Sequence, residues 1–213
     1  MWLHGIPGCG KTILSSTIVQ HLEVSSSPVK LLYFYFDFNN ASKRTLEKMV
    51  VSLVSQLYIK CRAAQGILDA LYSSYSDGHR RLSSESLCNV FLEMVEQAKE
   101  VWLVIDALDE CTTRSGPWNV GLLKWISSLL TEKQRNIHLL VTSRPEQDIT
   151  AELSSIASSK KSVIPLQSDL IKDDIDSYIR VKVRNGEGLR RWRSSHKTQQ
   201  EIETALVQKA DGM

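Results

Sequence analysis

Apolar residues along this chain follow two alternating patterns. Short runs at 1–4, 31–36, 101–105, 137–141 and 162–166 are apolar at consecutive positions. They are rich in Val, Ile, Leu and aromatics, as strands buried on both faces of a parallel sheet are. Between them, apolar residues recur every three or four positions, the period of an amphipathic helix. Leu14, Ile18 and Leu22 form one such stripe, and Leu46, Val50, Leu53, Val54 and Leu57 a second. Leu87, Phe91, Met94, Val95 and Ala98 form a third, and Leu122, Leu123, Ile126, Leu129 and Leu130 a fourth. Strand alternating with helix predicts a doubly wound α/β fold with right-handed crossovers. The insertion at about 39–100 reads as all-helical, with a turn-rich tip at 73–78, and Ser25-Ser26-Ser27-Pro28 reads as a connecting loop.

After Leu166 the pattern changes. Ser168-Asp169 can cap a helix carrying Ile171, Ile175, Tyr178 and Ile179. A polar, basic loop is expected from Arg184 to about Arg193, then a helix from Gln199 to Ala210. This divides the chain into a domain over 1–167 and a second segment over 168–213. The first strand is short, and 211–213 stop directly after a helical pattern, so a fragment of a longer protein is expected.

Composition narrows the class. The chain has 213 residues, 42% hydrophobic and 23% charged, enough apolar material for a sizeable core. Its 26 Lys+Arg against 24 Asp+Glu give a formal charge of +2, which offers no bulk attraction to nucleic acid. No apolar run approaches the roughly 18 residues of a membrane span, and no basic-then-apolar leader opens the chain. Cys9, Cys61, Cys88 and Cys111 form no C-x-x-C pair, so buried thiols in a reducing, cytoplasmic setting are expected.

Three clusters carry chemistry. Gly5-Ile6-Pro7-Gly8-Cys9-Gly10-Lys11-Thr12 matches G-x-x-x-x-G-K-[ST] between a strand and a helix. The glycines let backbone amides turn inward on an anion, and the helix N-terminus adds its dipole. Lys11 is placed to bridge β- and γ-phosphates, and the Thr12 hydroxyl to ligate Mg²⁺. Next, 101–105 run into Asp106-Ala107-Leu108-Asp109-Glu110. Asp106, at a strand end, can hold Mg²⁺ through water. Asp109 or Glu110 can polarise a water for attack on the γ-phosphorus, and the residues leave that choice open. Finally, Arg144 follows the fourth run at the sheet edge where open α/β folds bind ligands, and could read the γ-phosphate. Guanine selectivity needs an Asn-Lys-x-Asp run, which is absent, so adenine is expected.

Gly5 through Thr12, the Asp106–Glu110 run and the run from Leu140 to Pro145 together resemble the NACHT family of signal-transducing (STAND) P-loop ATPases. A small residue after the magnesium aspartate, then an acidic pair, is a mark of that family; here these are Ala107, Asp109 and Glu110. The chain is most similar to fungal NOD-like receptors and heterokaryon-incompatibility proteins with nephrocystin-3-like N-terminal domains. The resemblance implies sheet order 5-1-4-3-2 and a helical arm domain beginning near 168. It implies ADP held at rest, exchange for ATP, slow hydrolysis with Mg²⁺, and self-association through this domain. Cofactors are then ATP/ADP and Mg²⁺, with no membrane or nucleic-acid partner. Against the family pattern, the segment before the first strand that usually contacts adenine is expected to lie outside these residues. Two alternatives stay open: a P-loop phosphotransferase, and an interaction module that binds nucleotide without turning it over.

Overall fold

Consecutive Val, Leu, Ile and aromatic residues need apolar cover on both faces, which a parallel sheet flanked by helices provides. The computed structural model describes residues 1–24, 30–74, 83–117, 119–131, 136–156, 162–166 and 168–210. In it the five runs become strands β1 (Trp2–Gly5), β2 (Lys30–Tyr35), β3 (Glu100–Asp106), β4 (Asn136–Ser143) and β5 (Val163–Leu166). Between them lie α1 (Lys11–Val24), α2 (Leu46–Lys60), α3 (Arg62–Ser74), α4 (Ser84–Ala98), α5 (Leu122–Thr131) and α6 (Gln147–Ile156).

The sheet order is β2-β3-β4-β1-β5, which reads 5-1-4-3-2 from the opposite edge. The pairs β2/β3, β3/β4 and β1/β4 are parallel. Their registers place Tyr35 beside Asp106, Ile105 beside Val141, and Leu3 beside Thr142. The carboxyl ends of β3 and β4 therefore lie side by side. Ligands of open parallel sheets bind at that edge.

The insertion is three helices, α2 to α4. Thr45 caps α2 by accepting from the Lys48 N–H at 3.4 Å, and Ser83 caps α4 by accepting from the Ser86 N–H at 3.1 Å. The predicted stripes of α2 and α4 are buried in the core, joined by Met49, Cys88 and Val90. In α5, Leu122, Leu123, Ile126 and Leu129 are buried as expected, whereas Leu130 is exposed and Trp125 takes a fully buried position.

The stripe of α1 departs from expectation. Leu14 is exposed, and the residues buried on this helix are Ser15 and Val19. Ser15 sits inside because its hydroxyl has a buried carboxylate to bond, which offsets the cost of desolvating it. Ile18 and Leu22 instead line an apolar cavity of about 420 Å³ with Trp2, Trp102, Leu139 and Leu153. That cavity lies by the strand starts, away from the ligand-binding edge.

The chain divides into two compact units, Met1–His4 with Gly10–Ile164, and Gly5–Cys9 with Pro165–Met213. In the second, α7 (Ser168–Asn185), a 3₁₀ turn (Glu187–Trp192) and α8 (His196–Ala210) follow one another. Ile179, Val183 and Gln199 are buried, and Arg184 Nε pairs with Glu203 Oε1 at 2.9 Å. The basic loop expected from Arg184 is mostly ordered structure. Here α7 runs to Asn185, where the Gly186 N–H closes onto Lys182 O at 2.9 Å, and α8 starts three residues before Gln199. The expected loop at 25–28 lies outside the described residues, as do 75–78 of the expected tip. Among the described residues no helix is long and apolar enough to cross a membrane.

Candidate functional site

The phosphate-loop motif forms a turn that needs its glycines. Gly8 and Gly10 have φ of +80° and +82°, a region L side chains rarely enter. At Gly5 the constraint is contact: a Cβ would lie 2.7 Å from both Cys9 Sγ and Leu166 O. Cys9, placed among the loop residues by the motif, is buried, and its N–H donates to Ile6 O at 3.4 Å. The helix begins at Lys11, with the Leu14 N–H donating to Gly10 O at 2.9 Å. The His4 imidazole is held below its ordinary pKa, first by partial burial and then by the positive charge of Lys11. Both effects disfavour the charged imidazolium.

Asp106 ends β3 and is 2% exposed. Three hydroxyls from two other elements surround it. Thr12 Oγ1 donates to Oδ2 at 2.7 Å, Ser15 Oγ to Oδ1 at 2.8 Å, and Thr142 Oγ1 to Oδ1 at 2.7 Å. A buried carboxylate is tolerated when its lone pairs are filled in this way. Thr12 and Asp106, 94 positions apart in the chain, are thus brought into contact.

Beyond Asp106 the chain turns sharply. Ala107 adopts φ 58°, ψ 54°, and its N–H donates to Thr142 Oγ1 at 3.0 Å. A short 3₁₀ turn, Leu108–Glu110, then presents the two candidate acids in different surroundings. Asp109, 6% exposed, accepts the Arg144 backbone N–H at 3.0 Å on Oδ1, and Arg144 Nε lies 3.2 Å from Oδ2. Glu110 Oε2 accepts the Phe38 N–H at 3.1 Å. Asp109 and Arg144 are therefore brought together, while Glu110 is drawn toward the loop after β2.

The next residues are pinned to the start of α2: the Thr112 N–H donates to Arg44 O at 2.8 Å, and Thr113 Oγ1 accepts the Leu46 N–H at 2.8 Å. Arg114 then turns back, with Nη1 donating to Asp109 O at 2.7 Å. Phe38, Asp109, Glu110, Arg114, Arg144 and Glu146 are among the residues lining an open polar cleft of about 700 Å³.

Sequence reasoning missed Ser15, Thr142 and Arg114. A signal existed for the first: Ser15 follows Thr12 by three positions, so both fall on one helix face. Thr142 was visible only as part of a polar strand end. Nothing local marks Arg114, because two of its partners come from beyond β4.

Residues 1–144 match the family model described as "Nephrocystin 3, N-terminal". The chain is similar to the vegetative incompatibility protein HET-E-1 of Podospora anserina, 23% identical over 193 residues. That match covers 86% of this chain and 13% of HET-E-1, so the chain spans a small part of that relative's length. Among solved structures, the cytoplasmic domain of the Type VII secretion ATPase EccC of Thermomonospora curvata aligns over 74% of this chain and 18% of that one. At 14% identity and a TM-score of 0.36, that overlap is too slight to bear on fold or chemistry. The family match spans both the phosphate loop and the acidic strand end, with Arg144 as its last residue: the chain belongs to the nephrocystin 3 N-terminal family of NACHT-type domains.

Proposed function

We propose that this chain is a nucleotide-controlled switch domain that binds ATP or ADP with Mg²⁺, hydrolyses ATP slowly and self-associates within a longer protein. The observation that carries the reading is the 2.7 Å contact between Thr12 and Asp106, which joins the phosphate-loop motif to the acidic strand end. These are two hard oxygen donors side by side, and Mg²⁺ in phosphate sites takes one or two such protein ligands and keeps its waters. The residues therefore fit the ion, which when bound would neutralise charge on the β- and γ-phosphate oxygens.

Each residue has a task in this reading. Amides of the Gly5–Lys11 loop hold phosphate oxygens, and Lys11 neutralises them. Ser15 and Thr142 keep the Asp106 carboxylate aimed. Arg144, half-exposed, leaves Asp109 to pair with the γ-phosphate and so reports its presence. Asp109 or Glu110 then orients the attacking water. The HET-E-1 relative is a vegetative incompatibility protein, and we place this domain in a signalling protein of that kind. The segment from 168 onward serves as the start of a helical arm, and a cytoplasmic location suits the four buried cysteines of the chain.

A second reading, binding without turnover, is favoured by one observation. Both candidate bases are engaged, Asp109 by Arg144 and Glu110 by the Phe38 N–H. Two measurements separate the readings. Denaturing chain purified without added nucleotide should release about one ADP per chain; an empty protein that binds no ATP would end the switch reading. Replacing Asp109 by Asn and Glu110 by Gln should then stop phosphate release while binding persists. An unchanged slow rate would favour the binder.

A further inference from the structure

Three acceptors converge on one guanidinium. Arg114 Nη1 donates to Asp109 O at 2.7 Å, Nη2 lies 2.7 Å from Glu146 Oε2, and Nε lies 3.3 Å from Asp148 Oδ2. The guanidinium is planar and its donors form a fixed fork, so holding three acceptors fixes them relative to one another. Asp109 O belongs to the turn after β3. Glu146 and Asp148 bracket the start of α6, immediately after Arg144-Pro145.

The same two segments also meet directly. Asp109 holds the Arg144 N–H and pairs with its guanidinium, whose side chain is 48% exposed while Asp109 is 6% exposed. Arg114, with its side chain 22% exposed, is the more enclosed of the two arginines. When Arg144 turns from Asp109 to a phosphate, the direct side-chain link opens. The Arg114 bridge is then what keeps the acidic turn and the β4–α6 junction in register.

We infer that Arg114 is a positioning residue for γ-phosphate sensing, a role that rests on Arg144 being the sensing group. It touches no nucleotide. It sets the distance between the Asp109–Glu110 turn and Arg144, so that phosphate capture by one is felt by the other. A merely stabilising ion pair on a partly exposed surface contributes about 0–1 kcal/mol and supports the ATP- and ADP-bound forms alike. A positioning residue acts on the ATP-bound form alone.

The test compares the 213-residue chain with R144A, R114A, R114K and the double variant E146Q/D148N. ATP and ADP affinities are titrated with Mg²⁺ present, phosphate release is followed for kcat and KM, and melting curves check folding. R114A should leave ADP affinity unchanged and lower the preference for ATP by about threefold to thirtyfold. Its kcat should fall by up to about a hundredfold with little change in KM, as for a misplaced catalytic geometry. E146Q/D148N keeps Arg114 and loosens only its grip on α6, so it should move the same way if R114A fails to fold. R114K keeps the charge without the fork and should recover only part of the loss. If R144A levels the two nucleotides while R114A and E146Q/D148N do not, the Arg114 role is overturned and sensing stands. If the wild type holds ATP and ADP alike and R144A changes nothing, the sensing reading falls, and the role of Arg114 with it. Equal weakening of both nucleotides in the Arg114 variants would mark a structural ion pair and would also overturn the role.

Discussion

Ala107 occupies left-handed backbone, φ 58° and ψ 54°, where a Cβ costs about 1 kcal/mol and a branched side chain more. The small residue after Asp106 thus has a conformational reason. Ala107→Gly should raise the urea midpoint or leave it unchanged, whereas Ala107→Val should lower it; equal midpoints for the two would refute the strain argument. Thr150 offers a different kind of test. Its Oγ1 is buried with no hydrogen-bond partner among the described residues, so Thr150→Val should stabilise by about 1 kcal/mol in chemical denaturation. Burial, and after it the charge of Glu85, pushes the Cys88 thiol up to about 12. The folded chain therefore binds this proton up to a higher pH than the unfolded chain does, and the sign of the linkage follows. The contribution is intact below the ordinary thiol pKa and is lost as pH rises from there toward about 12. Unfolding free energies measured at pH 8 and pH 10 should show the decline, and Cys88→Ala should flatten it. Alkylation of Cys88 in the native chain at pH 8 should likewise be slow, because on the order of 10⁻⁴ of it is thiolate.

At the scale of elements, the decisive feature is that polar side chains from α1 and β4 converge on the end of β3. The Asp106 carboxylate is held by Thr12, Ser15 and Thr142, and Thr142 also receives the Ala107 N–H. The phosphate loop depends on backbone that only glycine enters cheaply. Gly8→Ala and Gly10→Ala should each abolish nucleotide retention, read as ADP released on denaturation, with little loss of melting temperature, since a loop outside the core is being strained. Leu103, fully buried in β3, tests the opposite case. Leu103→Ala should cost about 3–5 kcal/mol of stability, measured by urea unfolding, through lost transfer energy and the cavity left behind. These elements were largely readable in advance. Strands buried on both faces give consecutive apolar runs, and the stripes of α2 and α4 keep helical period because their cores are purely apolar. The reading failed on α1, where Ser15 displaces Leu14 from the buried face. A hydropathy pattern assigns a hydroxyl to solvent, and only a carboxylate brought in from residue 106 makes its burial favourable.

For the molecule as a whole, binding and stability should be coupled. A ligand at one hundred times its Kd stabilises the folded state by about 2.7 kcal/mol if it binds only that state. ADP with Mg²⁺ should therefore raise the melting temperature by several degrees, and Lys11→Ala should remove the rise; a shift that survived Lys11→Ala would place the nucleotide elsewhere. What the amino-acid order determined by itself was the α/β class, the helical insertion and the identity of the three motif clusters. Each of these is written in local spacing: period two or consecutive runs for strands, period near 3.6 for helices, and fixed glycine offsets for the phosphate loop. The tertiary structure decided which distant groups meet. It paired Asp109 with Arg144 and sent Glu110 to the Phe38 N–H, a distinction between adjacent acids that no local pattern contains. It also set Arg114 between the acidic turn and α6, with Glu146 and Asp148 more than 30 positions away. Hydrogen bonds and ion pairs act over about 3 Å of space and take no account of distance along the chain, so their partners are chosen only once the sheet order has put the ends of β3 and β4 side by side.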